Sequence, residues 1–471
     1  MKTYICDIET YKECVLYCFL DYHSDECIIF EISKNKNELP EIYNFIKSQQ
    51  LRVVTFNGIH FDSLITNYII SNYQSLKQLS NLDFCSRIYQ VSQTVIKEDF
   101  HEYSNYKYHK LYEEIDVFLL VSKGLRMSKK LSLKFYAYNL DMDIMEMPVF
   151  HGKSDLTDIE IDLVRKYVQQ DVLITKELTI KKKEEINLRF WIKKEYGLPC
   201  LSFDAPKIAS ELLLDSYCKK TLPNYLSLYD YKKEIRNRRY EQLVNIRLGD
   251  FIPKIEFKTK QFQDLYDRIC NSYNTFSEKV IVKNPDGTCI KIQYGQGGLH
   301  NVQDIQKFKS TKDKQYIDYD AKSLYPNLIK NLKAISPKLG DEMLDVYTEI
   351  LEERYLAKKN GDKVKDTFFK LIANSASGLL DNTYSWLYSP EQILGLRITG
   401  QLFLTRYVEE CLLHNINVIS INTDGCLIES NNQYDDLLKV VNIIEHEFNL
   451  ELEETVYNFI NFKSVNDYIG Y

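Results

Sequence analysis

Two spacings of apolar residues alternate along the first 185 or so positions, and that alternation narrows what the chain can fold into. Residues 2–8 alternate as a strand does, and 13–20 and 26–32 read as its hairpin and meander partners. Residues 51–56 form a short apolar run that ends at Asn57-Gly58, a strand followed by a turn, and 61–72 then take helical spacing. Within 158–183, apolar residues at 161, 164, 168, 172 and 174 mark an amphipathic helix running out into the charged string 181–185. Strands interleaved with helices in this way predict an α/β domain.

The rest of the chain changes character. Residues 186 to about 250 read as helical and basic, with Arg236, Arg238 and Arg239. A β-rich stretch follows, with Pro285-Asp286-Gly287 as a hairpin turn. Residues 316–320 read as a strand, 349–379 as two helices broken at Asn360-Gly361, and 418–421 with 426–429 as a hairpin. At ~150 residues per domain, 471 residues suggest about three domains. With 44% hydrophobic and 27% charged residues, the composition excludes a disordered, collagen-like or disulfide-scaffold protein. No stretch approaches the ~20 apolar residues of a membrane span, and acidic residues come too early for a secretory signal, so a cytoplasmic protein with no membrane partner is expected. The net charge of −7 gives no sign of a polyanionic partner, although a local basic groove remains compatible with it. Eleven cysteines without a CxxC pair read as reduced, mostly buried thiols.

Carboxylates carry the chemistry of the first half. Asp7-Ile8-Glu9 puts two of them on one side of a strand, ~7 Å apart along the backbone, a spacing suited to a pair of divalent cations or simply to an exposed strand edge. Asn57-Gly58-Ile59-His60-Phe61-Asp62 sets a third just before a helix, where it also suits an N-cap. Tyr167 and Asp171 lie one helical turn apart, a common packing pair. The order DxE, NxxxFD, YxxxD on strand, turn-helix and helix resembles the three motifs of DEDDy 3′–5′ proofreading exonucleases. The resemblance implies that Asp7, Glu9, Asp62 and Asp171 hold two metal ions, that Tyr167 orients the attacking water, and that Asn57 and Phe61 contact DNA. Leu131-Ser132-Leu133-Lys134-Phe135, beside Lys129 and Lys130, is similar to the element in which Ser132 and Leu133 would contact a single-stranded primer end.

In the second half, Asp320-Ala321-Lys322-Ser323-Leu324-Tyr325-Pro326 runs from a strand into a helix whose first turn tolerates the proline. Lys370, Asn374 and Gly378 stack at i, i+4 and i+8 of a helix, a polar stripe with a small residue, or a solvated helix surface. Asn422-Thr423-Asp424-Gly425 sits at a hairpin tip, where such residues are also ordinary turn formers. DxxSLYP, KxxxNSxxG and xTDG in this order, after a DEDDy exonuclease, resemble motifs A, B and C of family B DNA polymerases, phage-encoded members above all. The fold class implied is α/β multidomain: an RNase H-like exonuclease domain plus an α+β polymerase palm with helical fingers. The corresponding divisions are 1–185 (exonuclease), 186–315 (connecting region and N-terminal palm), 316–345 (palm, motif A), 346–385 (fingers, motif B) and 386–471 (palm, motif C).

By the same resemblance, Asp320 and Asp424 are the metal-binding carboxylates of nucleotidyl transfer, with two Mg²⁺ or Mn²⁺ ions per active site. Tyr325 packs under the deoxyribose, and Arg354, Lys358, Lys370 and Asn374 bind the incoming dNTP. Gly297 and Gly298 of Tyr294-Gly295-Gln296-Gly297-Gly298 track the template, and Lys463 and Tyr468 grip the primer strand. Three departures stand out. Asn422 replaces the first aspartate of DTD, Ser377 replaces a tyrosine of motif B, and no segment matching a thumb follows Tyr468. The last leads to the expectation of a separate thumb-bearing polypeptide or other replisome partner beside primer-template DNA. Short spacing between motifs A, B and C suggests nucleic-acid priming. Two alternatives remain beside a proofreading polymerase: an exonuclease with a weak palm that binds primer-template, and a non-catalytic replisome subunit.

Overall fold

The computed structural model describes the whole chain except residues 49, 98–109, 122–130, 239–244, 296, 303 and 432. Lys129, Lys130, Arg239 and Gln296 therefore lie outside the described residues. The chain divides into two compact units, Met1–Asp204 and Ala205–Tyr471.

In the first unit, β1 (Lys2–Tyr11), β2 (Cys14–Asp21) and β3 (Cys27–Ser33) form an antiparallel meander. Strands β4 (Leu51–Thr55) and β5 (Glu113–Asp116) extend it in parallel, giving the order β3-β2-β1-β4-β5. That order, with three antiparallel and two parallel members, is RNase H-like. Alternate residues of β1 feed separate cores on the two faces. Tyr4, Cys6 and Ile8 pack with Leu64 and Ile65 of helix α1 (Asp62–Ser71), while Ile5 and Tyr11 pack with Val164, Val168 and Val172 of helix α2 (Asp158–Lys181). Asp7 and Glu9 share the second face. Helix α2 opens on a capping box, Thr157 with Glu160.

The second unit is built on a seven-stranded sheet of order β13-β10-β12-β11-β8-β7-β6. Its strands are β6 (Lys279–Lys283), β7 (Cys289–Gln293), β8 (His300–Asn301), β10 (Gln315–Ala321), β11 (Asn417–Asn422), β12 (Gly425–Ser430) and β13 (Leu452–Tyr457). A smaller sheet joins β9 (Gln306–Lys309), β14 (Phe459–Ser464) and β15 (Asp467–Gly470). Helix α3 (Leu324–Asn331) follows β10. Helices α4 (Gly340–Lys359) and α5 (Lys363–Asp381) form the pair broken at Asn360-Gly361, where Gly361 takes φ +71°. Helix α6 (Pro390–Leu413) is buried along most of its length. No sequence periodicity announced it, because a helix buried all round has no polar face. Its buried Arg406 is neutralised by Glu409 and Glu410. All eleven cysteines are free thiols, and most are buried. Among the described residues, no helix is long and apolar enough to cross a membrane.

Candidate functional site

In the first unit, β1 lies inside its sheet, which disposes of the exposed-edge reading of Asp7 and Glu9. Ligand oxygens of Asp7, Glu9 and Asp171 lie within 4.8 Å of one another. Asp62 is not the N-cap of α1: it is the first residue of that helix, and its Oδ1 accepts the Ile8 N–H at 3.0 Å. This bond ties α1 to the strand that carries Asp7 and Glu9. Burial, then Asp62, Asp171 and Glu9, push the Asp7 carboxyl well up. Burial and Glu9 raise Asp171 to about 7, against a hydrogen bond from Tyr167 that favours its charged form. Burial and Asp171 likewise raise the Tyr167 phenol. Such a set, oxygen-only, acidic and mutually repelling, fits a hard divalent cation.

The neighbours of this cluster have defined places. Asn57 adopts φ +64°, and its N–H, with that of Ile59, is held by Asp116. Its own Oδ1 is buried without a hydrogen-bond partner among the described residues. Phe61 packs on the core beside α1. Ser132 caps the helix Leu133–Asn139 and Leu133 joins the core, while Lys134 lies 5.9 Å from the Tyr167 ring and pairs with Glu146.

Sequence reasoning overlooked His151 and Asp116. His151 Nε2 stands 3.4 Å from Glu9 and the ring stacks on Tyr11. Asp116 organises the loop at Asn57. Neither lies in a recognisable spacing.

In the second unit, a cavity of about 690 Å³ collects residues from four separate sequence stretches. Asp320 and Asp424 line it together with Tyr325, Arg354, Lys358, Lys370, Asn374, Ser377 and Tyr468. Asp320, next to last in β10, lies opposite Gly425 of β12, and a Cβ at Gly425 would stand 1.8 Å from Asp320 Oδ1. The glycine is thus a cradle that admits the carboxylate. Burial and Asp424 raise Asp320 to about 6, and burial raises Asp424. Arg354 is engaged by Ser323 at 2.8 Å and Asp366 at 3.3 Å, whereas Lys370 and Asn374 are exposed on α5. Gly298 packs against the hairpin tip, since a Cβ there would meet Thr423 at 2.9 Å. Gly297 carries no such contact, but its carbonyl, with that of Gly295, accepts from Gln401. Lys463 is outside the cavity, exposed and paired with Asp467.

Two cavity carboxylates escaped the sequence reading, Asp318 and Glu453. Asp318 stands two residues before Asp320, the same period that singled out Asp7 and Glu9. Burial, Asp320 and Asp424 raise it to about 7. Glu453 faces Asp320 from β13, a pairing that only the sheet register reveals.

No protein-family model matches the chain, and no curated protein matches it. Among solved structures, it is similar to the family B DNA polymerase from the hyperthermophilic archaeon Pyrobaculum calidifontis, with a TM-score of 0.52 and 15% sequence identity. The match covers 100% of this chain and 58% of that one, so the chain spans somewhat over half the length of that polymerase. The likeness is one of fold: a mixed α/β multidomain fold of the family B polymerase kind.

Proposed function

We propose that the chain is a template-directed DNA polymerase that adds dNTPs to a primer 3′ end and carries a 3′–5′ proofreading exonuclease, acting in phage genome replication in the host cytoplasm. The observation that carries this reading is the second unit's cavity, where residues of motifs A, B and C, far apart in sequence, line one space. Divalent cations, Mg²⁺ or Mn²⁺, two per site, would be held by Asp320 and Asp424 in one unit and by Asp7, Glu9, Asp62 and Asp171 in the other. Bound there, they supply charge stabilisation for in-line displacement at phosphorus.

The chain's own side chains do the rest. Lys358 and Lys370, with Arg354 behind them, offer positive charge to the triphosphate, and Asn374 extends the same helical stripe. Tyr325, whose ring approaches Gly400, forms the floor beneath the sugar. Gly297, Gly298, Lys463 and Tyr468 lie along the DNA. In the first unit, Tyr167 orients water toward the terminal phosphodiester, and Asn57, Phe61, Ser132 and Leu133 position the primer end. The corresponding domains are the exonuclease over 1–185, a connecting region over 186–315, palm segments over 316–345 and 386–471, and fingers over 346–385.

The test is a labelled primer on template with Mg²⁺, with and without dNTPs. Asp424→Ala is expected to lose extension and keep shortening, and Asp7→Ala to do the reverse. Extension that survives Asp424→Ala would end the assignment of the polymerase site to this cavity. Shortening without any extension by the wild type would favour the exonuclease with a weak palm.

A further inference from the structure

Three features of the second unit's cavity do not follow from the motifs. The first is Asp318. The two-residue period of β10 puts it on the face of Asp320, and both line the cavity with Asp424. Its cross-strand neighbours are Leu427 on β12 and Thr455 on β13, neither of them cationic. Among the described residues, no hydrogen bond or ion pair holds its carboxylate, although Lys358 and Lys370 line the same space. A partly buried carboxylate left without a partner calls for a cation or a proton.

The second is Asn422. Its amide oxygen accepts from the Thr423 hydroxyl at 3.2 Å and lies 3.1 Å from His300 Nδ1. Position 422 therefore offers neither a charge nor an uncommitted acceptor to the cavity. The third is the register that relates the two. Asn422 pairs with Gly425 and Gly425 with Asp320, while Ser420 pairs with Leu427 and Leu427 with Asp318. Asp318 thus lies one rung down the sheet, on the same side as the Asn422–Asp320 row.

We propose that Asp318 is the third acidic group of the cation site in the second unit, restoring at β10 the charge that Asn422 withholds at the hairpin. This rests on the polymerase reading above. The three carboxylates Asp318, Asp320 and Asp424 then share the cation charge, and Asn422, fixed by His300, serves only to set the hairpin tip.

The experiment measures Mn²⁺ binding by calorimetry and by loss of the free-ion electron spin resonance signal. It uses the full chain carrying Asp7→Ala and Glu9→Ala, so that the first unit's cluster does not contribute. Asp318→Asn is expected to weaken binding by about tenfold or more, the scale on which groups around a metal act. Adding Asn422→Asp to that variant is expected to recover most of the loss. Unchanged affinity in Asp318→Asn, or a loss that Asn422→Asp does not recover, overturns the proposal. Should Asp318→Asn melt below the assay temperature, Asp318→Glu decides: an advanced carboxylate shifts the affinity of a ligand and leaves that of a bystander unchanged. Asp424→Ala separates the two levels of inference. If it abolishes Mn²⁺ binding and extension while Asp318→Asn does neither, the polymerase reading stands without Asp318. If it changes neither, the reading of this cavity as the polymerase site, on which the role of Asp318 rests, fails.

Discussion

Gly425 and Asp320 show how tightly single residues bind the site to the fold. A Cβ at 425 would stand 1.8 Å from Asp320 Oδ1 and 3.0 Å from the Tyr319 carbonyl, so space rather than backbone conformation demands glycine. Gly425→Ala is therefore expected to displace Asp320 or the hairpin, costing about 1–3 kcal/mol of stability as overpacking does. On the proposed polymerase reading, primer extension should fall by at least about tenfold, since small misplacements of a catalytic group are amplified in rate. Denaturant melts and extension assays check both, and full extension at unchanged stability would mean that the tip has slack. In the sequence, Asp424-Gly425 is legible only as a turn, because the atom that forbids a side chain belongs to another strand. Asp62 has the same history: its place before a helix suggests a cap, and only the fold supplies Ile8 N–H as its partner. Asp7 gives a second test at this scale. Its carboxyl is raised by burial and by three neighbouring carboxylates, so Asp7→Asn removes repulsion along with a ligand. In EDTA at pH 7 the variant is expected to melt higher than the wild type, while primer shortening is lost. A lower melting temperature would mean that the carboxylate is compensated within the protein.

At the scale of elements, helix α5 presents Lys370, Asn374 and Gly378 as an exposed stripe, while Phe368, Phe369, Ile372, Ala373 and Ala376 are buried. The four-residue spacing made that stripe readable in advance. Gly378 has nothing within 4 Å of where its Cβ would be, so no packing contact within the described chain calls for glycine. Gly378→Ala is then expected to stabilise the helix by about 0.5–1 kcal/mol. If a nucleotide or template strand lies against this face, the same change lowers extension. Thermal melts beside steady-state extension separate the two effects, and a stabilised variant with full extension would clear the stripe of any such contact. Other elements were not readable. Strand β5 has the sequence Glu-Glu-Ile-Asp, which no strand propensity favours. It is held because Glu113 pairs with Arg52 and Lys193, Glu114 accepts from Thr55 and Ser63, and Asp116 accepts three backbone N–H groups. All of those partners except the Phe118 N–H are remote in sequence, so the strand exists through tertiary bonds rather than local preference. The helix pair α4–α5 was legible for the opposite reason: its break, Asn360-Gly361, is local.

At the scale of the whole molecule, both units concentrate carboxylates that resist ionisation, and this sets the sign of the pH dependence. Burial is the first cause in each case, and it raises Asp171, Glu114 and Asp318 to about 7 and Asp116 and Asp320 to about 6. Each such group keeps its proton in the folded chain at pH values where the unfolded chain has already lost it. The folded state therefore binds more protons than the unfolded state from about pH 4 to about pH 7, and stability falls as pH rises through that window. Carboxylates lowered by partners, such as Glu113, Glu410 and Glu429, act in the opposite sense, but their effect is confined to acid pH, where they take up protons. Between pH 5 and 8 the raised groups dominate. In EDTA, the melting temperature is thus expected to drop steadily from pH 5 to pH 8. Mg²⁺ or Mn²⁺ should recover the part owed to Asp171, Asp318 and Asp320, but not the part owed to Glu114 and Asp116, which hydrogen bonds to the chain's own groups already engage. The gap between melting curves with and without divalent ion should widen as pH rises, because cations gain from ligands that have shed their protons. A gap independent of pH would mean that the ion binds elsewhere than these carboxylates, and would count against a cation site in either unit.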